Sequence, residues 1–110
     1  MSNVPRNAEI LVEEPFGPVA TVQSVHSLDA VDLANASPYS FAAYLFTDSI
    51  RVRDELVRRL NASNIGINQT APSLPDVALG GLGNSGYGHE GGTESVLAYM
   101  HLRLVSKMAG

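Results

Sequence analysis

Two short apolar runs, Ala42 to Phe46 and Ile65 to Asn68, stand either side of the amphipathic stretch Ile50 to Leu60, and this alternation constrains the fold more than any other feature of the chain. Within the stretch, Val52, Leu56 and Leu60 recur every four residues. Asp54 with Arg58 and Glu55 with Arg59 stand at i,i+4, a pairing that supports an exposed helical face. A strand, a helix and a second strand in this order call for a right-handed crossover and a parallel sheet. Ala42 to Phe46 lacks polar alternation, which points to a strand covered on both faces.

The β-branched segment Val19 to Val25 reads as an earlier strand. Ser27 or Asp29 is placed to cap a helix carrying Leu28, Val31 and Ala34 on one side, which must stop before Pro38. After Asn68 comes a Gly- and Pro-rich loop from Gln69 to Gly92, longer than a compact domain ordinarily accommodates without a functional reason. Thr93 to Met100 then reads as a short helix. Leu102 to Met108 is a final extended segment with Leu102, Leu104, Ser106 and Met108 on one face. The expected fold class is α/β, a three-layer αβα-type parallel sheet fragment with the order β-α-β-α-β, loop, helix, strand. At 110 residues the chain is expected to be one domain over 1–110, or part of one, and is long enough to bury most of a small core by itself.

Composition narrows the function classes. A formal net charge of -4, with no basic stripe interleaved with aromatics, argues against a nucleic-acid partner. No charged-then-apolar leader and no bilayer-length apolar run is visible, so no membrane partner and a cytoplasmic location are expected. The three N-x-S/T matches, at Asn35, Asn61 and Asn68, matter only in a secreted chain. There are no cysteines, which excludes disulfides, zinc-thiolate sites and any thiol nucleophile within these residues. His26, His89 and His101 have no ligand spacing among themselves, so no metal site is expected.

Two stretches invite a chemical reading. In Glu14-Pro15-Phe16-Gly17-Pro18 a carboxylate and an aromatic ring stand two residues apart on a backbone stiffened by two prolines, while Gly17 permits a close backbone approach. A carboxylate accepts from vicinal sugar hydroxyls and a ring packs on a flat heterocycle, so a nucleoside is a sensible ligand; a rigid turn entering a strand is the plain alternative. Gly81-Leu82-Gly83-Asn84-Ser85-Gly86 literally matches the dinucleotide fingerprint G-x-G-x-x-G. Its context does not fit, because a proline-containing loop precedes it, more glycines follow, and Val105, Ser106 and Lys107 occupy the region where the ribose-binding acid belongs.

The stretch Glu14 to Pro18 resembles the E-x-F-G-P signature of the aldehyde dehydrogenase superfamily. The resemblance continues, in order and spacing, through Ala34-Asn35-Ala36-Ser37-Pro38-Tyr39, Ala42 to Thr47, Ile65-Gly66-Ile67-Asn68 and Gly80 to Gly92. It covers nearly the whole chain and is closest to the C-terminal part of the catalytic domain, with Glu90-Gly91-Gly92-Thr93-Glu94 similar to the semialdehyde branch. The resemblance implies that Glu14 binds the nicotinamide-ribose hydroxyls of NAD or NADP and that Phe16 packs beside the nicotinamide. It also implies that the glycine-rich segment lines the catalytic cavity, that Ser73 offers a hydroxyl to a substrate carboxylate, and that Leu79 takes the place of an aromatic substrate wall. Gly83 and His89 likewise replace the usual lysine and arginine.

The family's cysteine nucleophile and water-activating glutamate belong to an N-terminal portion without a counterpart here, so no catalytic residue is expected in this chain. The expected role is therefore a segment of an NAD(P)-dependent aldehyde or semialdehyde dehydrogenase, active only with the missing Cys-bearing portion. Its expected partners are that complementary portion or further copies of itself, with 102–108 as the intersubunit strand. The alternative is a stand-alone, non-catalytic α/β oligomerising module derived from a truncated enzyme.

Overall fold

The computed structural model describes residues 1–26, 29–71 and 73–110. Its centre is the crossover read from the sequence. Strand β1 (Ala42–Leu45) and strand β2 (Asn64–Ile67) pair in parallel, with Ala42 opposite Asn64 and Leu45 opposite Ile67, and helix α2 (Ile50–Arg59) connects them. The preceding helix Asp29–Asn35 is α1 and the later helix Gly92–Leu97 is α3.

Helix α2 begins where Ser49 accepts a hydrogen bond from the Val52 N–H, and it stops at Leu60, whose backbone is extended. Arg59 pairs with Glu55 at 3.8 Å, as the spacing anticipates, and reaches Asp32 of α1 at 3.2 Å. Arg58 turns to Glu55 rather than to Asp54, which Arg53 occupies at 2.7 Å. Asn35 joins the two helices more firmly: its amide donates to the Arg59 carbonyl and accepts from the Asn61 N–H, both at 2.8 Å. These bonds satisfy groups that the end of α2 leaves open.

Helix α1 stops before Pro38, as required, and buries Val31 to 1% exposure while Ala34 stays exposed. Asp29 lies inside the helix rather than capping it. Ser27 and Leu28 fall outside the described residues.

Three expectations are corrected. The strand read over Val19 to Val25 is reduced to one parallel bridge between Ser2 and Val22, closed by the Val22 N–H on the Met1 carbonyl at 2.8 Å. β-branched residues favour extended backbone, but a strand needs a neighbouring ladder, and here only the first residues run alongside. The two-sided cover expected for the first apolar run is also missing, since Tyr44 and Phe46 are 47% and 66% exposed. Nor does the chain bury most of a core: Val4 and Val31 are the buried hydrophobic residues among those described.

The accessible surface is 9029 Å², where a compact monomer of this mass has about 5,900 Å². The radius of gyration is 19.2 Å, against about 13 Å for a compact domain of this length. A two-stranded sheet offers too little surface for its own apolar side chains to be covered. The fold class is nonetheless the expected α/β with a small parallel sheet. Residues 101–110 are exposed and form no helix or strand within the chain.

Candidate functional site

The Glu14 corner is set up by the 3-10 turn Glu9–Leu11, whose end is fixed by the Val12 N–H on the Glu9 carbonyl at 2.9 Å. Across Pro18 the Val19 N–H closes on the Gly17 carbonyl at 2.8 Å, tightening the bend. Glu14 makes no hydrogen bond or ion pair among the described residues, and Phe16 is 97% exposed. Exposed rings of this kind are candidates for contact with something outside the chain.

The glycine-rich loop is pinned at several points. Leu79 and Glu90 form an antiparallel bridge with two hydrogen bonds of 2.8 Å, and Tyr39 bridges Gly83. The Gly80 carbonyl accepts from the Asn64 amide at 3.0 Å and from the Ser63 hydroxyl, which ties the loop to the start of β2. The Ser85 hydroxyl accepts from the Ser40 N–H at 2.9 Å. Gly83 has φ +56, a conformation in which side chains are strained, so glycine rather than lysine suits this backbone. A Cβ on Gly81 would meet the Ser85 carbonyl oxygen and stand 2.8 Å from the Ser85 Cβ. No helix opens between Gly81 and Gly86, so the structural partner of the dinucleotide fingerprint is not formed there.

The fold-back brings Ser73 and Leu79 together. Both line a cavity of about 190 Å³ with Leu74, Pro75 and Glu90. Leu79 and Glu90 also line a second cavity of about 360 Å³, with Phe41, Tyr87, His89 and Ala98. The bridge between Leu79 and Glu90 is thus a wall shared by two concavities. Glu14 and Phe16 line neither of them.

Sequence reasoning missed Phe41, Tyr87 and Glu90 as lining residues. Glu90 and Tyr87 sit inside the glycine-rich motif, so they carried a signal. Phe41 carried none beyond its place before β1. Hydroxyls, an imidazole and a carboxylate are present around these cavities, giving groups that bind and orient a polar molecule. Among the described residues no group of three His, Asp or Glu side chains converges on a metal position, and no helix is long and apolar enough to cross a membrane.

Comparison with known proteins adds to this geometry. Residues 1–105 match the sequence profile of the Aldehyde dehydrogenase family. The chain is 39% identical over 110 residues to the 4-(hydroxymethyl)benzenesulfonate dehydrogenase of Comamonas testosteroni, covering 99% of this chain and 23% of that protein. It is 38% identical over 100 residues to the succinate-semialdehyde dehydrogenase of Paenarthrobacter nicotinovorans, covering 90% of this chain and 22% of that one. Among solved structures it is similar to the betaine aldehyde dehydrogenase of Staphylococcus aureus in complex with NAD+. That likeness has a TM-score of 0.82 and 31% identity, and covers 89% of this chain and 20% of the other. The chain therefore spans between a fifth and a quarter of the length of these proteins.

Proposed function

This chain belongs to the aldehyde dehydrogenase family, and from that premise we propose that it acts as the C-terminal segment of an NAD(P)-dependent dehydrogenase for aldehydes of the semialdehyde class. The thiol that attacks the aldehyde comes from outside these 110 residues, which contain no cysteine. It is supplied by a further portion, on the same polypeptide or on another. The single observation that carries this reading is the match along residues 1–105, over a segment whose parallel strands leave their apolar side chains uncovered. A sheet of this kind is a piece of a larger layer, and the missing cover is what a catalytic domain supplies.

Within that assembly the chain contributes two sets of contacts. Glu14 accepts hydrogen bonds from the nicotinamide-ribose hydroxyls and Phe16 packs beside the nicotinamide. Their fit is supported by a carboxylate without a partner among the described residues and a ring that is almost wholly exposed. When bound, NAD(P)+ supplies the hydride acceptor. Ser73 donates to the far carboxylate of the substrate, and Leu79 packs against its chain. Their shared cavity supports these two roles.

The test is complementation. The purified chain, mixed with the thiol-bearing remainder taken from the Paenarthrobacter relative, is assayed for NAD(P)+ reduction with succinate semialdehyde. Turnover in the mixture alone, weakened by Glu14→Gln through a raised KM for NAD(P)+, is the expected result. Formation of a mixed complex without turnover, or turnover indifferent to Glu14→Gln and Phe16→Ala, would overturn the reading.

A second reading has an observation of its own. Leu102, Leu104 and Met108 are all more than 90% exposed on a segment without a strand partner among the described residues. A backbone edge of this kind invites pairing with another copy, which suits a non-catalytic oligomerising module. A discrete oligomer, unchanged by NAD+ or by the thiol-bearing portion, favours it.

A further inference from the structure

Away from the glycine-rich loop, the N-terminal segment and α1 flank a separate open cavity of about 320 Å³. Its apolar side is Leu11, Val12, Leu33 and Ala36; its polar side is Arg6, Thr21, Gln23 and Ser37. Size and mixed lining both fall in the range of small-molecule sites.

The hydrogen-bonding state of the polar side decides what chemistry it suits. The Gln23 amide nitrogen is already committed to the Val4 carbonyl at 2.8 Å. Ser37 accepts from the Tyr39 N–H at 3.2 Å, which leaves its own proton to donate. The Thr21 hydroxyl and the Arg6 guanidinium make no hydrogen bond among the described residues, and Arg6 makes no ion pair there. No carboxylate lines the cavity. What stays open is therefore a permanent positive charge with two hydroxyl donors, beside the accepting Gln23 amide oxygen, on one side and an apolar wall on the other. That combination selects a small anion with a hydrophobic body, because a guanidinium fork matches a carboxylate and the wall rewards apolar surface.

We infer that this cavity is a binding site for a small aromatic or branched-chain carboxylate, with Arg6 holding the carboxylate, Thr21 and Ser37 donating to it, and Leu11, Val12 and Leu33 covering the body. The site is independent of the dehydrogenase reading, since it shares no residue with either cavity of the glycine-rich loop. It has a place from which to influence that reading nonetheless. Leu11 and Val12 lie three and two residues before Glu14, so an occupied cavity fastens the approach to the Glu14 corner onto α1.

The probe is benzoate, with benzamide as its neutral counterpart of the same shape. Benzoate is titrated into the isotope-labelled chain and followed by amide chemical shifts. Saturable shifts clustered at residues 6–12, 21–23 and 33–37 are expected, with benzamide and the Arg6→Gln chain each weaker by about tenfold or more and Arg6→Lys between. Arg6 is exposed and without partners among the described residues, so its replacement leaves the fold in place. Shifts confined to residues 73–90, equal binding of benzamide, or an Arg6→Gln chain that binds benzoate unchanged would overturn the assignment. None of these readouts depends on turnover, so they separate this site from the complementation result.

Discussion

The side-chain amide of Asn68 holds the backbone of Thr47 at both ends, its Oδ1 accepting from the Thr47 N–H at 2.9 Å and its Nδ2 donating to the Thr47 carbonyl at 3.1 Å. Asn68 has φ +52, and its own N–H still closes on the Leu45 carbonyl at 2.7 Å, so its side chain extends the pairing one residue beyond the ladder. The loss on Asn68→Ala is therefore double: two hydrogen bonds go, and a methyl-bearing residue is left in a left-handed conformation. A cost of about 2 kcal/mol is expected, read from urea unfolding. Asn68→Gly, which relieves only the backbone conflict, should fall between alanine and the native residue. Equal stability of all three would show that β1 and β2 do not rely on this clasp.

Gly81 and Gly17 make a matched pair for the same denaturation experiment. A Cβ at Gly81 runs into Ser85, whose hydroxyl anchors the Ser40 N–H, whereas a Cβ at Gly17 meets nothing within 4 Å. Gly81→Ala should cost about 2 kcal/mol or more through displaced backbone. Gly17→Ala should stay within about 0.5 kcal/mol. If a partner approaches the bend closely, however, the second substitution weakens NAD(P)+ binding in the complemented assembly without touching stability.

The sequence made the crossover legible for a local reason. Helix α2 is bounded by Ser49, which caps it, and by Leu60, where the chain turns extended, so both ends are written in adjacent residues. The two strands were legible because each apolar run ends at a polar residue. Val19 to Val25 was misread because strand formation depends on a neighbour, and the pattern of a segment says nothing about who lies beside it. The same limit applies to the site. Glu14 and Phe16 belong to one local motif, but the meeting of Ser73 with Leu79 depends on the bridge from Leu79 to Glu90. No spacing rule encodes that bridge.

Two contacts between α1 and α2 separate hydrogen bonding from surface charge. Asn35→Ala removes a side chain that serves both the Arg59 carbonyl and the Asn61 N–H, and should cost about 1–2 kcal/mol. Asp32→Asn removes an exposed ion pair to Arg59 and should cost well under about 1 kcal/mol, vanishing in high salt. Comparable losses from the two, both sensitive to salt, would mean that charge rather than the amide joins the helices.

Ser73 is best tested by substrate choice. In the complemented assembly, Ser73→Ala should raise KM for succinate semialdehyde by about tenfold while leaving an uncharged aldehyde such as propanal unchanged. An equal rise for both would remove the hydroxyl from carboxylate recognition and leave it a loop residue.

The uncovered sheet has a thermodynamic signature. Unfolding raises the heat capacity in proportion to the apolar surface newly wetted, at about 0.45 cal/mol/K per Å². This chain keeps much of that surface wet while folded, as the exposed Tyr44, Phe46 and Val105 attest. Its melting should therefore be broad, with a heat-capacity step well below the ordinary value for its length. On the proposed reading the missing increment is deferred: it is expected, with negative sign, in the calorimetry of the thiol-bearing portion docking onto β1 and β2.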